Sequence, residues 1–211
     1  MELFNDLYHF KFWHIFISYL FIYFGLMWIT NNTILSDAYF YNAYSQLSKE
    51  RIESLMTITR KYQWIVYFAM PLSLLLKWVF VAGIVFAGLI LLNQKILFKD
   101  CFKIVLIAEL IKIAESFVKV VYFIFQKPES IEDIQFVPFS LLGLLNTREI
   151  PSYFVYPLQQ VNLFEIMYWI LLAVGIRAYI GKTFYQSLKI VASSYGVAFL
   201  IWMIVVVFIQ V

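Results

Sequence analysis

An all-α, polytopic transmembrane bundle of about five spans is the fold class this sequence predicts. Two observations lead there. Of the 211 residues, 63% are hydrophobic and only 14% charged, against about 45–50% and about 25% in a soluble domain. The apolar residues also gather into runs of about 20, the length a helix needs to cross ~30 Å of hydrocarbon. A soluble globule of this size would present a greasy surface to water; a bilayer removes that difficulty. The length suits one domain, residues 1–211.

No water reaches the hydrocarbon to satisfy the backbone, so each span is expected to be helical. The first covers about 10–29, with Trp13 and Trp28 at the two interfaces and Tyr19 and Tyr23 between them. The start, Met1 to Asp6, is acidic and the run after it is full length and bulky, which points to a retained helix rather than a cleaved signal. A polar connection follows. Within its segment 47–59, Ile52, Leu55, Met56 and Thr59 recur at helical spacing, with Lys49, Glu50, Arg51 and Glu53 on other faces. Ser45 or Ser48 would cap its start. This amphipathic connector reads as a helix lying on the membrane; the sharper alternative is a docking surface for a partner.

The second apolar run extends from Trp64 to Leu92 and is interrupted by Pro71. A proline removes a backbone donor and kinks or ends a helix. Either one long kinked helix spans, or 64–70 is an interfacial stretch and the span proper is 72–92; the second is the expectation. Lys77 would then lie near one end, its stem reaching the headgroups. After a tight basic turn with Lys95, Lys99 and Lys103, the third span covers about 102–125. A proline-rich loop, 127–158, holds Pro128, Pro138, Pro151 and Pro157 with Glu129, Glu132, Asp133 and Glu149. Its apolar stretch 136–145 is too short to span and should dip into one leaflet. The fourth and fifth spans cover about 163–180 and 188–209, joined by a turn with Arg177, Lys182 and Lys189.

Orientation follows from the basic residues of the short loops. Lys11 and the two short turns carry seven lysines and arginines, against six on the opposite side (Lys49, Arg51, Arg60, Lys61, Lys127 and Arg148). The short turns are purely basic apart from Asp100, so the N-terminus is placed inside and the C-terminus outside.

The third span carries the most information. Glu109, Lys112, Glu115, Ser116 and Lys119 fall on one stripe about 120° wide, while the other faces are Leu, Ile, Val and Phe. Glu109–Lys112, Lys112–Glu115 and Glu115–Lys119 have the spacings at which helical side chains meet. The stripe is formally neutral. A lone charge at the centre of a span costs roughly 2.5–3.5 kcal/mol on insertion scales, so four unpaired charges would threaten insertion. Alternating signs allow pairing, and the stripe is expected to face the bundle interior, with Lys77 as a possible partner. Three readings stay open: a packing device, a wet cavity in which Glu109 or Glu115 takes a proton, and a seam for another membrane protein.

Other chemistry is sparse. His9 and His14, five apart, share no helix face well, and the chain has no H-E-x-x-H, G-x-S-x-G or Walker loop. No enzyme, cofactor or metal is therefore expected. The lone Cys101 excludes an internal disulfide and a cysteine cluster. A net charge of +3 without a basic run gives no reason to expect nucleic acid. Asn31-Asn32-Thr33 matches a glycosylation sequon by three residues only.

The last third of the chain resembles the Yip1 family of five-span membrane proteins. The resemblance rests on Leu158-Gln-Gln-Val-Asn-Leu163-Phe164-Glu165-Ile-Met-Tyr-Trp169-Ile-Leu-Leu-Ala-Val-Gly175, the basic turn, and Ser187-Leu-Lys189 opening the final span. The upstream prolines and Phe139-Ser140-Leu141-Leu142-Gly143 are also similar. The chain lacks the long polar N-terminal region of eukaryotic members and looks like the compact bacterial branch. The resemblance implies a multi-pass protein of the cell membrane, a bacterial inner membrane, sometimes associated with transport systems.

Two functions are expected from these features. The first is a non-catalytic subunit or scaffold of a larger membrane complex, partnered by lipids and other membrane proteins, with 47–59 and the proline loop as contact surfaces. The second is a transporter or permease-like component with the charged stripe lining a polar path.

Overall fold

The computed structural model describes residues 12–145 and 150–210. His9, Phe10, Lys11, Arg148 and Glu149, which entered the expectations above, lie outside the described residues. Those described form an all-helical bundle with no strand; the only β-type pairing among them is an isolated bridge between Ser140 and Asn162.

Helix α1, Phe12–Ile29, runs into a π-helical turn at Thr30–Ile34. Polar side chains bonded to carbonyls four residues back accompany this widening: Thr30 Oγ1 donates to Leu26 O at 2.9 Å and Asn32 Nδ2 to Trp28 O at 2.8 Å. Helix α2, Asp37–Ala43, starts at Ser36, whose hydroxyl accepts from Tyr39 N–H.

Helix α3 is one continuous element, Lys49–Leu91, of 43 residues. The connector and the apolar run are thus one helix, the long-helix alternative, with no break at Pro71. Pro71 removes a single ladder bond, and no glycine or second proline reinforces it before Gly83. Of the amphipathic face of 47–59, Ile52 and Met56 are buried against Tyr39 and Phe40 of α2, while Leu55 is half-buried and Thr59 exposed. At 1.5 Å per residue α3 is about 65 Å long, twice the hydrocarbon thickness. Its exposed bulky residues run from Ile58 to Leu91, so the charged first turns project past the apolar zone.

Helix α4, Phe98–Gln126, is the centre of the bundle and packs against α1, α3 and α7. The proline loop is more structured than a loop. It contains α5, Ile131–Gln135, opened by a reciprocal Ser130–Asp133 capping box, a 3-10 turn at Leu141–Leu144, and α6, Ser152–Gln160, with Pro157 inside it. Helix α7, Leu163–Ile180, starts at Asn162, whose side chain accepts from Glu165 N–H, and stops at Gly181 in the left-handed conformation. Helix α8, Phe184–Val191, passes through a π-helical turn, Ala192–Gly196, into α9, Val197–Gln210.

Four of these units are long and apolar enough to cross a membrane: Phe12–Ile34, Lys49–Leu91, Leu163–Ile180 and Phe184–Gln210. Helix α4 carries seven charged residues and is the most enclosed instead. The main core joins Trp78, Ala82, Val85 and Leu89 of α3 with Cys101, Ile104 and Ala108 of α4, Leu172, Ala173 and Ile176 of α7, and Val191 of α8, all fully buried. Small residues bring backbones close. At Gly88 a Cβ would lie 2.2 Å from that of Ser194, so α3 meets the second π-turn nearly backbone to backbone.

Candidate functional site: a charged cleft inside the bundle

The stripe residues are held by α4, and the helices around it supply partners. Glu109 is fully buried and lies about halfway along α4. Its Oε1 accepts from Lys77 Nζ of α3 at 2.6 Å and from Tyr23 OH of α1 at 3.2 Å, so one carboxylate ties three helices. Its Oε2 accepts no hydrogen bond among the described residues. Lys77 is thus a partner of the stripe: its ammonium sits on Glu109 in the apolar part of α3, 44% exposed.

One turn on, Lys112 bridges two acids, Glu115 Oε2 at 2.9 Å and Glu165 Oε2 of α7 at 2.7 Å, and stands 5.8 Å from the centre of the Tyr168 ring. Glu115 Oε1 accepts from Asn162 Nδ2 at 3.0 Å. Glu165 Oε1 accepts from Trp169 Nε1 and Tyr195 OH, each at 2.9 Å. Ser116 donates to Lys112 O at 2.9 Å. Lys119 forms no ion pair among the described residues and lies over the Phe123 ring at 5.6 Å.

Of the three pairings expected within the stripe, only Lys112–Glu115 forms. Glu109 turns to α3 and Lys112 to α7 because the stripe faces neighbouring helices that bring opposite charges. Sequence reasoning had quoted Glu165 without assigning it a role. Its signal was readable: it is the lone acid in span 163–180 and stands three residues after Asn162, the spacing of a helix cap. Tyr23 and Tyr195 carried no signal beyond an ordinary aromatic, since only tertiary packing brings them to the carboxylates.

The network borders a cleft of about 750 Å³ between α1, α3, α4, α7 and the α8–α9 unit. Lys77, Lys112, Glu115, Ser116, Glu165, Tyr23 and Tyr195 give it a polar floor. Its walls are apolar, and its lip includes Phe80, Ile201 and Trp202, which are 71%, 56% and 54% exposed. Near the floor the helical path of the chain is broken: α6 ends at Gln160, Val161 and Asn162 are extended, and α7 begins at Leu163. Irregular backbone at membrane depth is tolerated where protein or a cavity satisfies it. Here Leu141 N–H donates to Val161 O at 2.8 Å and Leu163 N–H to Phe139 O at 3.2 Å.

Among the described residues no group of three His, Cys, Asp or Glu side chains is placed to hold a metal. No family model, curated protein or solved structure matches the chain, and nothing among them identifies the Yip1 family.

Proposed function

We propose that this chain is a non-catalytic multi-pass membrane protein that receives an amphiphile from the bilayer in the cleft between α3 and α9, with α4 as a fifth, central span. One observation carries the reading: a cavity large enough for a small ligand has a charged, hydrogen-bonding floor and a mouth edged by Phe80, Ile201 and Trp202. A water-soluble solute would meet a greasy entrance. A lipid would slide its tail along apolar walls and bring its polar end to the floor. The ion pairs of Glu109, Lys112 and Glu115 support the placement of α4 in the membrane, since intramembrane charges are tolerated where they pair.

The function as a subunit of a larger membrane complex is favoured by a separate feature. The 3-10 turn and the residues just before it present Leu144 and Phe139 at 83% and 66% exposure, apolar surface fit for a membrane partner. Segment 47–59 offers less to a partner, because Ile52 and Met56 face α2.

The test is photo-crosslinking in liposomes. Cys101 is fully buried, so Ser116→Cys introduces the reactive thiol for a benzophenone probe. The probe should couple to lipid, and Ala198→Trp, which fills the cleft, should abolish that product. Coupling to protein alone, or a product indifferent to Ala198→Trp, would refute the reading.

A further inference from the structure

We infer that the ligand of the cleft is a zwitterionic lipid, with the anionic part of its head group on Lys77 and the cationic part on Glu115; this rests on the cleft's being a lipid site. The cleft is lined by two lysines, Lys77 and Lys112, and two glutamates, Glu115 and Glu165. It is therefore neutral as it stands. A head group with net charge would leave one charge uncompensated in surroundings where water screens nothing. A zwitterionic head keeps the sum at zero while meeting both signs.

Exposure decides which charged groups a ligand can reach. Lys77 has three N–H donors and uses one, on Glu109, and it is the most exposed charged group of the floor. It is the natural seat for a phosphate oxygen. Glu109 and Glu165 are closed to a ligand. Glu109 is fully buried behind Lys77, and Glu165 is 7% exposed and already has three partners. Glu115, 17% exposed, has one partner on each oxygen and two lone pairs on each, so it can still accept from an ammonium. The exposed cation and the open anion lie on neighbouring helices, α3 and α4, and both line the cleft.

The experiment uses the full chain reconstituted in equimolar phosphatidylethanolamine and phosphatidylglycerol, extracted in mild detergent and weighed by native mass spectrometry. Wild type should retain phosphatidylethanolamine over phosphatidylglycerol by roughly tenfold. Glu115→Gln, which keeps the Asn162 contact but leaves the site at +1, should reverse the preference. Retention of phosphatidylglycerol by wild type, or equal retention of both lipids, overturns the zwitterionic assignment while leaving a lipid site in place. Retention of neither refutes the lipid site itself. The wild-type arm decides even if Glu115→Gln fails to fold. If that variant folds and keeps the wild-type preference, the assignment of Glu115 falls.

Discussion

Lys77 and Glu109 meet at 2.6 Å although they lie on different helices and 32 residues apart, with the carboxylate fully buried and the ammonium 44% exposed. Removing the lysine alone strands a carboxylate inside the bundle. Lys77→Ala should destabilise by roughly 3 kcal/mol, the low end of the roughly 3–5 kcal/mol for breaking a buried pair, because Lys77 keeps some exposure. Lys77→Leu with Glu109→Leu should recover most of that loss. Cys101, inaccessible in the fold, serves as the reporter: maleimide labelling against temperature should rise early in the single variant and near the wild-type midpoint in the double.

Glu165 accepts from Trp169 and Tyr195 and pairs with Lys112. Glu165→Ala strands the Trp169 and Tyr195 donors and leaves Lys112 with Glu115 alone, an effect of roughly 3–5 kcal/mol. Glu165→Gln retains an acceptor and should lose clearly less. Equal unfolding midpoints for the two variants would show that the hub adds nothing specific.

Gly88 faces Ser194 so closely that an added Cβ would sit 2.2 Å from that of Ser194. An alanine gains about 1 kcal/mol of helix propensity, but overpacking typically costs about 1–3 kcal/mol, and contact at this distance places the clash ahead. Gly88→Ala should therefore destabilise, and Gly88→Ala with Ser194→Gly should be restored. Thermal midpoints in detergent decide the matter.

At the loop end, partial desolvation of Asp133 would raise its pKa. The N–H groups of Glu129 and Ser130 and the Ser130 hydroxyl outweigh that and hold the carboxyl below the usual carboxylate range. A depressed folded-state pKa means a contribution present above the ordinary carboxylate range and lost as pH falls through the depressed value. Hydrogen exchange at 129–135 should accelerate on acidification in wild type, and Asp133→Asn should be fast and flat across the same window.

Much of this was legible in the sequence because hydropathy is a one-dimensional signal. Span 163–180 is bounded by Asn162 and Gly181, residues that cap helices for local reasons, and its ends read directly. The stripe on α4 was legible for the same reason, since i, i+3 and i+4 spacing fixes which residues share a face. Of its partners only Lys77, a lone cation in an apolar run, could be named from sequence. Glu165, Tyr23 and Tyr195 come from other helices, and no local rule sets which helix packs on which face. Pro71 misled because the same residue ends a helix in water yet is accommodated where the apolar run continues on both sides. That Ile52 and Met56 face α2 was not legible because α2 is only seven residues long, too short for a helical period to declare itself.

The most direct test counts lipid. After exhaustive detergent washing, phosphorus analysis should find about one phospholipid per chain in wild type and almost none in Ala198→Trp, the two being equally folded by Cys101 protection. Equal phosphorus in both, or none in either, would contradict a lipid seated in the cleft between α3 and α9.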